Sequence, residues 1–131
     1  MIVIVGILVA LTLPNYSLIR EKSLNREART SLALIQAAEK IYRLEQGFYY
    51  PYGGATQSDP ALINSFLKLN LPKLAAESGS KTLPWTISVN SSTGLVTATR
   101  VGIGKDDRQW TISFPGDAIS TVPTCSGGAC N

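Results

Sequence analysis

The 131-residue chain contains no histidine and one methionine, and its two cysteines both fall within the last seven residues. Without histidine it lacks the commonest general base and metal ligand at neutral pH. No G-x-S-x-G elbow and no phosphate-binding glycine loop occurs, so the chain reads as a non-enzyme that needs no cofactor. Cys125 and Cys130, separated by four residues of which two are glycine, do not have the spacing or companions of a metal or redox site. They point instead to one local disulfide formed outside the cytosol. Charge is also sparse: 16% of residues are charged, the net charge is only +3, and no charged residue precedes Arg20.

What fills the uncharged beginning is apolar. Among Met1 to Leu13 only Gly6, Ala10 and Thr12 are not large apolar residues. A run of this length, at ~1.5 Å rise per residue, makes ~20 Å of helix against a hydrocarbon core of ~30 Å, so as written it is too short to span. The basic residues Arg20, Lys22, Arg26 and Arg29 follow the run and no small-residue cleavage site precedes them, the reverse of a secretory signal peptide. A cleaved signal and a buried hairpin helix remain as alternatives. Within the run, Pro14 has no N–H to donate and its ring crowds the carbonyl four residues earlier, while Gly6 weakens helix at the other end. The segment Gly6 to Pro14 is therefore where a long helix is expected to kink or melt.

The succession Gly6-Ile7-Leu8-Val9-Ala10-Leu11-Thr12-Leu13-Pro14-Asn15-Tyr16, leading into a charged amphipathic helix, closely resembles the N-terminal region of type IV pilins and of the pseudopilins of type II secretion. The resemblance covers about the first 50 residues at the level of motif and the remainder only in architecture. It implies a preceding segment of about eight residues carrying a glutamate just after a prepilin peptidase site. It also implies a filament core formed by Ile2, Ile4, Gly6, Ile7, Leu8, Val9, Leu11, Leu13 and Pro14, residence in the inner membrane before assembly, and a final place in an extracellular filament. The implied partners are other copies of the chain, the inner membrane, prepilin peptidase and the pilus assembly machinery.

From Leu18 to Gln46 the pattern is helical. Leu24, Ala28, Ser31, Ile35, Ala38 and Tyr42 form one stripe, and Leu34, Ala37, Ile41 and Leu44 form a second beside it. Together they cover ~200°, twice the ~100° of a helix with one packed face. Two partners are expected for this helix: the chain's own sheet and a neighbouring subunit. Its charges, Glu21, Glu39 and Glu45 among them, are expected on a solvated face or in pairs between subunits. Gly47 ends the helix. The aromatic turn Phe48-Tyr49-Tyr50-Pro51-Tyr52 follows, either capping the core or serving as a contact patch.

Asp59-Pro60 signals a helix N-cap and first turn, with Leu62, Ile63, Phe66 and Leu67 expected inward and a further turn of helix over Pro72 to Glu77. Trp85 to Val89, Leu95 to Val101 and Gln109 to Phe114 alternate as strands. The expected fold is α+β: a long N-terminal helix on an antiparallel three-stranded meander, with a C-terminal disulfide loop. Residues 1–23 are the membrane or filament-core helix and 24–131 the head. The head core is expected from Leu24, Ala28, Ile35, Ala38, Tyr42, Trp85, Ile87, Val89, Trp110, Ile112 and Phe114. Asp106 and Asp107 belong to a turn, with weak calcium binding as the lesser reading. The expected function is that of a structural pilus subunit, favoured over a secretion pseudopilin by the disulfide tail. A competing reading is a DNA-binding minor pilin, in which Arg100, Lys105 and Arg108 gather beside Trp110.

Overall fold

The computed structural model describes residues 2–71, 85–101, 108–114, 122–128 and 130, with the backbone alone described over 11–18. A 45-residue helix α1 (Ile2–Gln46) precedes a short strand β1 (Thr56–Gln57), helix α2 (Pro60–Leu67) and strands β2 (Trp85–Asn90), β3 (Leu95–Arg100), β4 (Gln109–Ser113) and β5 (Thr124–Ser126). At 1.5 Å per residue α1 is ~68 Å long.

The fold is α+β with a five-stranded antiparallel sheet in the order β1-β2-β3-β4-β5. The expected meander forms its centre, and the count of three is corrected by β1, paired with β2, and β5, paired with β4. These edge strands are two and three residues long, too short for side-chain alternation to show, and are held by backbone pairing. Over Gly6 to Pro14, where a kink or melting is expected, melting is not seen: the backbone is α-helical throughout this segment, because losing the one hydrogen bond that Pro14 cannot donate leaves those on either side intact.

Packing follows register. Val89, Val96 and Ile112 lie opposite one another across β2, β3 and β4, as do Ile87, Ala98 and Trp110. This inward face meets Ala28, Leu32, Ile35 and Ala38 of α1. Polar contacts fix the helix on the sheet. Gln36 Nε2 donates to Ser113 O at 2.6 Å, Trp85 Nε1 to Leu24 O at 3.0 Å and Trp110 Nε1 to Asn25 Oδ1 at 3.3 Å. Gly47 closes α1 with a positive φ of 86°, where a side chain would be strained, and its N–H reaches Arg43 O at 2.8 Å.

In α2 the Asp59 carboxylate accepts from Ala61 N at 2.9 Å, and Ile63 and Leu67 are buried. Leu62 and Phe66, expected inward, are nearly half exposed; two turns of helix present only one narrow row to a core. The cysteines are joined as Cys125–Cys130. The turn of helix expected over Pro72 to Glu77 and the turn holding Asp106 and Asp107 lie outside the described residues.

Candidate assembly surface

The head uses only part of α1. Of the residues expected in the head core, Ala28, Ile35, Ala38, Trp85, Val89, Trp110, Ile112 and Phe114 are buried, while Leu24, Tyr42 and Ile87 are half-buried against them. Leu32, Gln36 and Asn25 are also buried. None of these three is among the residues expected in the head core, although they share the helical spacing of Ala28 and Ile35, the signal that could have placed them there.

Ahead of the head, Ile2, Ile4, Ile7, Leu8 and Val9 are exposed, from 89% at Ile2 to 51% at Val9. A Cβ placed on Gly6 would meet nothing within 4 Å, so this glycine has no packing role inside the chain. Leu11, Leu13 and Pro14 lie on the helical backbone, their side chains outside the described residues. Because α1 is one unbroken helix, Leu8 stands ~36 Å along the axis from Leu32, and the arm cannot fold back on its own head. At ~1.5 to 3 kcal/mol per large apolar side chain removed from water, the arm holds on the order of 10 kcal/mol of unused burial.

The outward stripe of α1 is open as well. Leu34 and Ile41 are about half exposed and Leu44 is 87% exposed. Beside them Ala37, Phe66, Leu67 and Leu69 line a mainly apolar groove of about 280 Å³ between the two helices. Glu45 and Lys68 stand at the groove, 3.7 Å apart and both well exposed. In the aromatic turn, Tyr50 is buried, packed on Tyr42 and stacked on Phe66. Tyr52 is exposed and edges against Phe48 at 4.7 Å.

Charged groups depart from the expected solvated face at two places. Glu39 is 0% exposed, and its Oε2 accepts from Tyr50 N at 3.0 Å; burial pushes its carboxyl up to about 7. Glu21 faces inward, where it pairs with Arg100 at 3.2 Å and with Arg108. The Arg108 hydrogen bond, opposed by desolvation and seconded by Arg100, holds the Glu21 carboxyl below its ordinary range.

The two arginines expected to form a nucleic-acid patch thus have another occupation. Arg108 is 0% exposed, and both guanidinium groups lie over Trp85, at 5.9 Å for Arg100 and 5.5 Å for Arg108. Lys105 lies outside the described residues. Trp110 takes a different cation, Arg29, at 5.5 Å, in a small cleft with Lys22, Asn25 and Arg26. Among the described residues no group of three or more metal-ligating side chains gathers, and no helix is long and apolar enough to cross a membrane. No family model, curated protein or solved structure matches the chain.

Proposed function

We propose that the chain is a structural subunit of an extracellular type IV pilus-like filament, assembling through its apolar N-terminal helix. The observation that carries this reading is the continuity of α1: one helix is packed on its head over one half and bare and apolar over the other. A helix that cannot bend back can cover such an arm only with lipid or with other molecules. In this reading the arm is held in the inner membrane, is processed there by prepilin peptidase, and is transferred by the assembly machinery into a core made of the arms of other copies. The heads form the shell. The resemblance of Gly6 to Tyr16 to pilins supports the same order of events.

The test is electron microscopy of material sheared from cells producing the full-length protein. Filaments a few nanometres wide, with this chain as their main component, are the expected result. Recovery of the chain only from membranes, or as a trace in filaments of something else, would overturn the proposal.

A further inference from the structure

The charges flanking the open face of α1 are sorted by side. On a helical wheel at ~100° per residue, the exposed Lys22, Arg26 and Arg29 and the half-buried Lys40 fall within ~60° of one another, along one edge of the buried face. Glu27 and Glu45, both exposed, coincide on the other side, ~140° from Lys22. Glu39 and Glu21, which would blur the division, are turned inward: the first is buried and the second is paired with Arg100 and Arg108. Between the two edges lies the exposed apolar stripe of Leu34, Ala37, Ile41 and Leu44. The free face of α1 therefore runs from basic through apolar to acidic. Arg20 is the cation on the acidic side, ~10 Å along the axis from Glu27, and Lys68 contacts Glu45 only as an exposed pair, a kind worth little.

The spacing of the charges repeats. Lys22 and Lys40 are 18 residues apart, and so are Glu27 and Glu45; that is five full turns, so each pair points the same way, ~27 Å apart. From the filament reading, on which this step rests, we infer that the partner of this face is a second copy of the same chain, lying parallel beside the first. The acidic edge of one α1 meets the basic edge of the next, with Glu27 and Glu45 of one copy level with Lys22 and Lys40 of the other.

This register shifts the second helix by five residues, ~7.5 Å along the axis. Parallel neighbours keep their apolar stripes on one side and their heads on the other. An antiparallel neighbour with its apolar stripe on the same side brings basic edge to basic edge or acidic to acidic, which the like charges oppose. The contact is heterologous, and repeated with an axial shift it does not close into a ring but winds into a helix. Individually such exposed pairs add little affinity; the apolar stripe supplies that, and the charges choose direction and register.

Charge reversal in the full-length chain tests this. Variant one carries Lys22→Glu and Lys40→Glu, and variant two Glu27→Lys and Glu45→Lys. Lys22, Glu27 and Glu45 are exposed and Lys40 is half-buried, and thermal melts of each variant in detergent check that it folds. Each variant alone is expected to lose filaments at least ~10-fold, since every contact becomes like against like. Produced together in one cell, they are expected to restore filaments in which the two alternate, because each reversed edge finds its complement. One chain carrying all four changes is expected to assemble alone. Wild-type filament yield from either variant alone, or no rescue by mixing, overturns the packing while leaving the filament reading in place. Absence of filaments from the wild-type chain overturns both.

Discussion

Glu39 sits among Tyr42, Tyr50 and the apolar face of α1 with one carboxylate oxygen on the Tyr50 amide, and its ionisation in that place opposes folding. Its folded pKa, about 7, lies above the ordinary 4.5, so the folded state holds the proton more tightly and stability rises as the pH falls from above 7 towards 4.5. Glu21 acts in the other sense: held low by Arg108 first and Arg100 next, it contributes above its ordinary pKa and loses that contribution as the pH falls. Stability is therefore expected to peak between pH 4.5 and 7. Thermal or denaturant midpoints at pH 5.5 should exceed those at pH 8, by at most about 3 kcal/mol for Glu39. Glu39→Gln should remove the fall above pH 7, and equal midpoints for the wild type at the two pH values would contradict the account. Glu21→Gln should cost about 2 kcal/mol, as one charged partner of the buried Arg108 is lost; an unchanged denaturant midpoint at pH 7 would refute it. Half of this was legible in sequence. Glu39 follows Ile35 by four residues and precedes Tyr42 by three, which places it on the buried stripe, but its charge argued for solvent. The meeting of Glu21 with Arg108 spans 87 residues, and nothing local announces it.

At the scale of the element, α1 is packed on the sheet over its C-terminal half and bare over the described side chains ahead of it. Its C-terminal half is specified on both sides: one stripe packs on the sheet and the other stays open, as the ~200° apolar arc implied. Leu32 is fully buried against the sheet, and Leu32→Ala should cost about 2 to 5 kcal/mol of stability in denaturant titration, whereas Leu44→Ala, at an exposed site, should cost less than about 0.5 kcal/mol. Equal costs would mean that the packed face has been misassigned. Leu8→Asp, on the arm, should leave the thermal midpoint of the head within ~2 °C and abolish entry into filaments; wild-type filament numbers would sink the assembly role of the arm. The helix ends at Gly47, the Asp59-Pro60 start of α2 and the three central strands were legible because each depends on a local rule: a cap, a proline or a period of two. β1 and β5 were not, because their pairing with β2 and β4 is decided by backbone groups of distant segments. That Gly6 to Pro14 does not melt in the single chain was legible only in part, for a related reason. Propensity counted the residues that weaken helix there, while the helix on either side keeps its own bonds.

Across the whole molecule, the bare apolar stretch ahead of the packed part of α1 was readable from composition: uncharged before Arg20, mixed after it. The tail was readable as a closed loop, and the Cys125–Cys130 bridge lies where β5 completes the sheet edge beside Trp110. Replacing both cysteines by serine should lower stability by about 2 kcal/mol in urea titration under non-reducing conditions, and the two proteins should become equally stable once the wild type is reduced. A difference that survives reduction would assign the effect to serine packing and not to the bridge. In the proposed filament, a load applied to the heads would run into the core along the unbroken course of α1, a single rod with no hinge between the two. Such a rod yields where its hydrogen bonds are fewest, which is the stretch between Gly6 and Pro14. Drawing those nine residues from helix to extended chain, from ~1.5 to ~3.3 Å each, lengthens every subunit by about 16 Å. The filament would behave as a spring whose compliance is written into one proline, and force–extension curves of single filaments should lose that compliant regime when Pro14 is replaced by alanine.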